Sequence, residues 1–191
     1  SISATASKSW QGTIQGLKIT MFKYYKLFFL IMIASAVVKT PTTSIAEQPL
    51  GQFGVWEAFV ENAGKKKICY MATEAKKARG NYKKRGRTYI MVTHRPAINI
   101  TNVVSVEAGY SYKKSSEVEI VIGKQAFKLF TSATTAFAFD TKTDRALVKA
   151  MIKGAEMTVK GLSSRGTQTI DTYTLKGFSA SYKSINAACK V

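Results

Sequence analysis

Glu117-Val-Glu-Ile-Val-Ile-Gly-Lys-Gln-Ala-Phe-Lys-Leu-Phe130 is the stretch that decides the fold. Val118, Ile120 and Ile122 recur at every second position, the period of a half-buried strand. Gly123-Lys124 interrupts the alternation and suits a two-residue type II′ turn, with glycine first where φ is positive. That turn sets a register in which Ile120 faces Phe127 and Val118 faces Leu129. On the other side of the pleat Glu119 faces Lys128. Apolar meets apolar and opposite charges meet, so the hairpin is self-consistent.

Outward from this hairpin the same period predicts strands over 54–61, 67–73, 87–95, 101–110, 155–160 and 167–175. Two helices are predicted. Thr143-Asp144 can cap one that runs to Lys153 and stops at Gly154, with Leu147, Val148, Met151 and Ile152 as its buried stripe. The other runs from Phe178 to Cys189, where Phe178, Tyr182, Ile185 and Cys189 recur at three- and four-residue steps. The expected fold is mainly β: a compact antiparallel β-sandwich or partly open barrel with two short helices, one of them C-terminal. There is no internal repeat.

The 191 residues carry 29 basic and 11 acidic side chains, a net charge of +18. Residues 1–20 are polar and read as an extension upstream of Met21. From Met21 the pattern is that of an export signal over 21–46. Lys23 and Lys26 precede the apolar run Leu27–Val38, and Ser44-Ile45-Ala46 offers the small residues signal peptidase accepts, which puts cleavage after Ala46. A membrane anchor is the competing reading, but a spanning helix needs roughly 20 apolar residues and this run ends sooner, at Lys39. The expected mature protein is a single domain over 47–191, exported to the periplasm, cell surface or medium.

Cys69 and Cys189 are the only cysteines. An even pair in an exported chain reads as one disulfide. A zinc site needs more ligands and a redox pair C-x-x-C spacing, and His94 is the only histidine.

The charge is concentrated in one segment. Lys65, Lys66, Lys67, Lys76, Lys77, Arg79, Lys83, Lys84, Arg85 and Arg87 fall between 65 and 87, with Glu74 the only acid among them. Gly80-Asn81 marks a turn, so the segment reads as a mobile basic loop between two strands and a candidate anion-binding patch. Tyr70, Tyr82 and Tyr89 are interleaved as on nucleic-acid surfaces, yet an exported protein rarely meets nucleic acid. Anionic envelope lipid, anionic glycan or a host-cell surface are the expected partners. The plainer reading is a solvated loop that binds nothing.

A serine hydrolase could be assembled on paper from Ser164, His94 and Asp171, but no G-x-S-x-G surrounds Ser164, and His94 reads better as structural. Asp140 and Asp144 are a conceivable metal pair, though Asp144 suits the start of a helix. No P-loop or dinucleotide fingerprint is present. No enzyme activity, cofactor or metal is expected.

The region 50–191 resembles the invasion-associated locus B family of alphaproteobacterial exported proteins. The stretches that carry the resemblance are Phe53-Gly54-Val55-Trp56, Ile68-Cys69-Tyr70, Arg85-Gly86-Arg87-Thr88-Tyr89, Val92-Thr93-His94-Arg95-Pro96 and, above all, Ser164-Arg165-Gly166-Thr167-Gln168-Thr169-Ile170-Asp171-Thr172-Tyr173-Thr174-Leu175-Lys176-Gly177-Phe178, with Cys189 near the end. The resemblance implies a signal peptide, a compact β-rich fold and a periplasmic or surface location. It also implies a link, in some pathogens, to virulence through invasion of host cells. Many relatives belong to free-living bacteria, so invasion is not the general molecular activity. No catalytic residue carries over. Within these motifs Trp56 and Phe178 are expected core anchors, Gly166 and Gly177 serve a turn and a helix start, and Arg165 is expected to pair with Asp171.

Overall fold

A computed structural model describes residues 46–63 and 66–191. The expected extension over 1–20, the export signal up to residue 45 and Lys65 lie outside the described residues. Those described belong to one compact unit that starts at Thr42, with its own core and disulfide.

In chain order the strands are β1 Ala46–Phe53, β2 Trp56–Ala63, β3 Lys66–Glu74, β4 Lys77–Gly80, β5 Tyr89–Arg95, β6 Ile100–Glu107, β7 Glu117–Ile122, β8 Gln125–Ser132, β9 Thr135–Ala138, β10 Glu156–Leu162 and β11 Gln168–Thr174. The helices are α1 Thr141–Lys153 and α2 Phe178–Cys189, and a 3-10 turn covers Pro96–Ile98. The mainly β class with two helices, one C-terminal, is as expected. All strands join one antiparallel sheet in the order β1-β2-β3-β5-β6-β9-β8-β7-β10-β11-β4.

The sheet is not closed, since β1 and β4 remain its edges. It is nevertheless curled. β3 pairs with β5 inside the sheet, and only Ala75 and Lys76 separate it from β4, which pairs with β11 at the far edge. The Ala75 amide donates to the Thr88 carbonyl at 3.1 Å and the Lys76 amide to the Thr172 carbonyl at 2.8 Å. One run of chain therefore passes from the interior of the sheet near its β1 end to the far edge, which curls the sheet without closing it.

The β7–β8 hairpin has the register read from its sequence, with Ile120 opposite Phe127, Val118 opposite Leu129 and Glu119 opposite Lys128. Gly123 has φ +58° and Lys124 is not among the positive-φ residues, as a type II′ turn requires. The ion pairs are not the Glu119–Lys128 pair of that register, however. Lys128 reaches Glu117 at 2.9 Å, and Glu119 takes Lys160 from β10 at 2.7 Å.

Trp56 and Phe178 are fully buried core anchors, edge to face at 5.0 Å. The Trp56 indole N–H donates to the Thr174 carbonyl at 3.1 Å, so its polar handle is satisfied. α2 has the predicted limits. Gly177 caps it at φ +95°, and a Cβ there would collide with the Phe53 carbonyl, so only glycine fits.

Several local expectations are corrected. α1 begins earlier than predicted, at Thr141, because Asp140, not Thr143-Asp144, is the cap, its carboxylate accepting from the Thr143 amide at 2.7 Å. Asp144 is buried and accepts from the Val104 amide of β6 at 2.9 Å. Ile152 is exposed and Ala150 takes its place in the buried stripe. β1, β4 and β9 were not anticipated. The segment 65–87 is not a mobile loop: β3 and β4 occupy most of it.

Candidate functional site

Arg85 lies between β4 and β5, and Asp171 in the middle of β11. Their side chains are 4% and 3% exposed and meet in a two-pronged ion pair, Nη1 to Oδ1 and Nη2 to Oδ2, both 2.6 Å. Arg85 Nε donates to the Ala108 carbonyl at 2.7 Å, and the guanidinium lies 4.8 Å from the Tyr110 ring and 5.6 Å from the Tyr82 ring. Burial alone would favour the neutral guanidine, but the Asp171 hydrogen bonds and charge outweigh it and push the Arg85 pKa up. Arg165, expected to pair with Asp171, does not. It is exposed on the turn between β10 and β11, and Asp171 is already engaged.

Above this pair opens a cleft of about 580 Å³. One wall is the end of the basic segment, Tyr82 to Gly86. The opposite wall is the turn after β10, where the Ser163 hydroxyl accepts the Thr167 amide at 3.0 Å and the Gly166 amide donates to the Ser163 carbonyl at 2.9 Å. This tight turn presents Ser164 and Arg165 to solvent. Lys83, Lys84 and Arg165 border the cleft, serine, threonine and tyrosine hydroxyls line it, and no acidic residue does. None of the three cations is in an ion pair among the described residues, which include every acid of the chain. Arg85 is the floor and its charge is neutralised in place.

The described residues of the predicted basic patch are spread over several elements. Lys66 and Lys67 start β3, with Lys67 Nζ bonded to the Ala188 carbonyl of α2 at 3.2 Å. Lys76, Lys77 and Arg79 are exposed along the β4 edge, where lysines discourage a further strand from adding. Arg87 pairs with Glu74 at 2.7 Å, an exposed contact of little energetic weight. Among the described residues of that patch, only Lys83, Lys84 and Arg85 reach the cleft. Arg165 was missed as a cleft cation: its motif was noted, but nothing local signalled that it would face residues 83–85.

The triad nominees are not brought together. His94 is fully buried on β5, where its Nδ1 accepts from the Asn102 amide at 3.0 Å, which leaves Nε2 as the protonated nitrogen donating to Asn186 Oδ1 at 2.9 Å. This is the structural histidine that was expected. Asp171 holds Arg85, and Ser164 sits at the cleft without a base. Asp140 and Asp144 have separate partners, and no cluster of three or more metal-ligating side chains occurs among the described residues.

Burial lowers the His94 pKa more than its Asn186 hydrogen bond raises it. The unfolded chain therefore binds its proton first, at about pH 6.5, and stability falls as pH drops below that value toward the folded pKa. As the only histidine, His94 gives one imidazole resonance, and its NMR titration midpoint should lie below about 6.5. A midpoint at or above that would contradict the burial argument.

The structure thus defines a disulfide-tied, basic β-protein with a cationic cleft, in which no described helix is long and apolar enough to cross a membrane. The chain belongs to the IalB family: the sequence model described as Invasion associated locus B (IalB) protein matches residues 56–186. That span contains Trp56, Cys69 and both members of the Arg85–Asp171 pair. Neither the search of curated proteins nor that of solved structures gives a match.

Proposed function

We propose that the protein is an exported, non-enzymatic binding protein of the cell envelope, whose cleft takes an anionic saccharide. The observation that carries this is the acid-free cleft with three unpaired cations at its border and hydroxyls along its wall. Sulfated or phosphorylated sugar offers oxyanions to the cations and hydroxyls to the serines, threonines and tyrosines. Family membership and the disulfide support export, since such bonds persist in oxidising compartments. The family description supports contact with a host surface, where sulfated glycans are one source of this chemistry. The phosphorylated saccharide of the bacterium's own envelope is the other.

The triple variant Lys83→Ala, Lys84→Ala, Arg165→Ala should weaken binding about tenfold or more. Three exposed charge contacts, each worth up to about 1 kcal/mol, together exceed the roughly 1.4 kcal/mol of one decade when each is near the upper end of that range. Lys66→Ala, Lys176→Ala, Lys183→Ala removes the same charge elsewhere and should change it less than about threefold. Calorimetry with heparin oligosaccharide and with lipopolysaccharide reads the two sources separately. Binding to heparin alone would assign a host glycan, and binding to lipopolysaccharide alone the envelope. Equal losses in both triple variants, or no binding to either probe, would refute the cleft.

A further inference from the structure

We propose that a second surface, the outer face of β8 and β9 with the exposed side of α1, docks on an anionic phospholipid membrane. It shares no residue with the cleft and does not depend on that reading. Phe130 and Phe139 are 39% and 59% exposed. Phe130 lies directly across from Phe137, and strand alternation puts Phe139 on the same face. The three rings form one cluster, with centroids 5.9 Å apart for Phe130–Phe137 and 5.5 Å for Phe130–Phe139. A lone exposed phenylalanine is ordinary, but three joined on an outer sheet face mark a contact surface.

The surroundings of the cluster indicate its occupant. α1 leaves β9 immediately after Phe139 and lies beside β6, β8 and β9. Its far end reaches the Gly123-Lys124 turn of the hairpin. With Leu147, Val148 and Met151 turned to the core, its other side continues the outer face of the sheet. That side carries Lys142, Arg145 and Lys149, exposed and one helical turn apart. Of the neighbouring acids, Glu117 pairs with Lys128, whereas Glu107 accepts from the Thr134 and Thr135 hydroxyls, Asp140 from the helix start and Asp144 from the Val104 amide. An apolar centre beside unpaired cations is the composition of a surface that inserts rings among acyl chains and sets charges against anionic headgroups. Two copies packed face to face would instead bring like charges together.

Flotation of the unit from Thr42 onward with vesicles tests this, using phosphatidylcholine with about 30% phosphatidylglycerol against phosphatidylcholine alone. The protein should partition about tenfold more to the anionic vesicles. Phe130→Ser with Phe139→Ser leaves the charge unchanged and should lower partition about fivefold or more. Lys142→Ala, Arg145→Ala, Lys149→Ala should lower it similarly, and Lys66→Ala, Lys176→Ala, Lys183→Ala by less than about twofold. Phe139→Ser alone, at the most exposed ring, should show a smaller loss in the same direction. Unchanged binding in the phenylalanine variants would overturn the proposal, and so would equal losses in the two charge variants. A dimer without vesicles that dissociates in Phe139→Ser would assign the face to a second copy instead, and would also overturn it.

Discussion

Replacing Asp171 with asparagine will destabilise the protein by about 3–5 kcal/mol, because it leaves the Arg85 guanidinium buried without its counter-charge. The loss is large against the roughly 5–15 kcal/mol that holds a domain folded. The pair has the geometry that makes orphaning costly, with two parallel bonds of 2.6 Å, both side chains almost fully buried and the remaining Nε committed to Ala108. Arg85 also joins the chain between β4 and β5 to β11, so the pair helps hold the curl of the sheet. Denaturant titration of the oxidised protein measures the loss. Arg85→Met with Asp171→Leu removes both charges and should cost markedly less than the two single replacements summed. A loss of under about 1 kcal/mol for Asp171→Asn would mean that the pair is hydrated and energetically incidental.

The same residues show what was legible in the sequence. The β7–β8 hairpin was readable because everything that specifies it is local: a period of two, a glycine at the positive-φ position and matched faces within fourteen residues. α2 was readable for the same reason, from its apolar spacing. β4 was not, because Lys77-Ala78-Arg79-Gly80 is exposed throughout and buries no face. Its strand character comes only from backbone bonds to β11, far away in sequence. α1's true cap was missed because Asp140 and Thr143-Asp144 both satisfy the capping pattern, and the deciding contact, Asp144 with Val104, is long-range. The partner of Asp171 was misread in the same way. Arg165 is close in sequence, but its turn points it to solvent, whereas Arg85 is 86 residues away and arrives through the curl of the sheet. The cleft was half legible. Its basic wall stood out by composition, while its hydroxyl wall was recognisable only as a motif with no stated place.

Removing both cysteines, as Cys69→Ala with Cys189→Ala, should cost about 4–5 kcal/mol by the chain-entropy argument, because the bond closes a loop spanning a sequence separation of 120. The double replacement is the cleaner test, since one cysteine alone leaves a reactive thiol. The expected damage is local before it is global. Cys69 on β3 lies directly opposite His94 on β5, and both hold the last turn of α2, His94 through Asn186 and Cys69 through Cys189. Lys67 adds the bond to the Ala188 carbonyl. Without the disulfide, that turn depends on two polar contacts, one of them made by His94, whose burial disfavours the charged imidazole and whose Nδ1 must stay unprotonated to accept the Asn102 amide. Acid should therefore loosen α2 more in the disulfide-free variant than in the parent, over the range below about pH 6.5 where the unfolded chain takes up the proton first. Hydrogen exchange should find the amides of Ile185 to Cys189 exposed before those of the central strands. Denaturation midpoints that do not change when both cysteines are removed would show that the sheet and the helix contacts hold the fold by themselves.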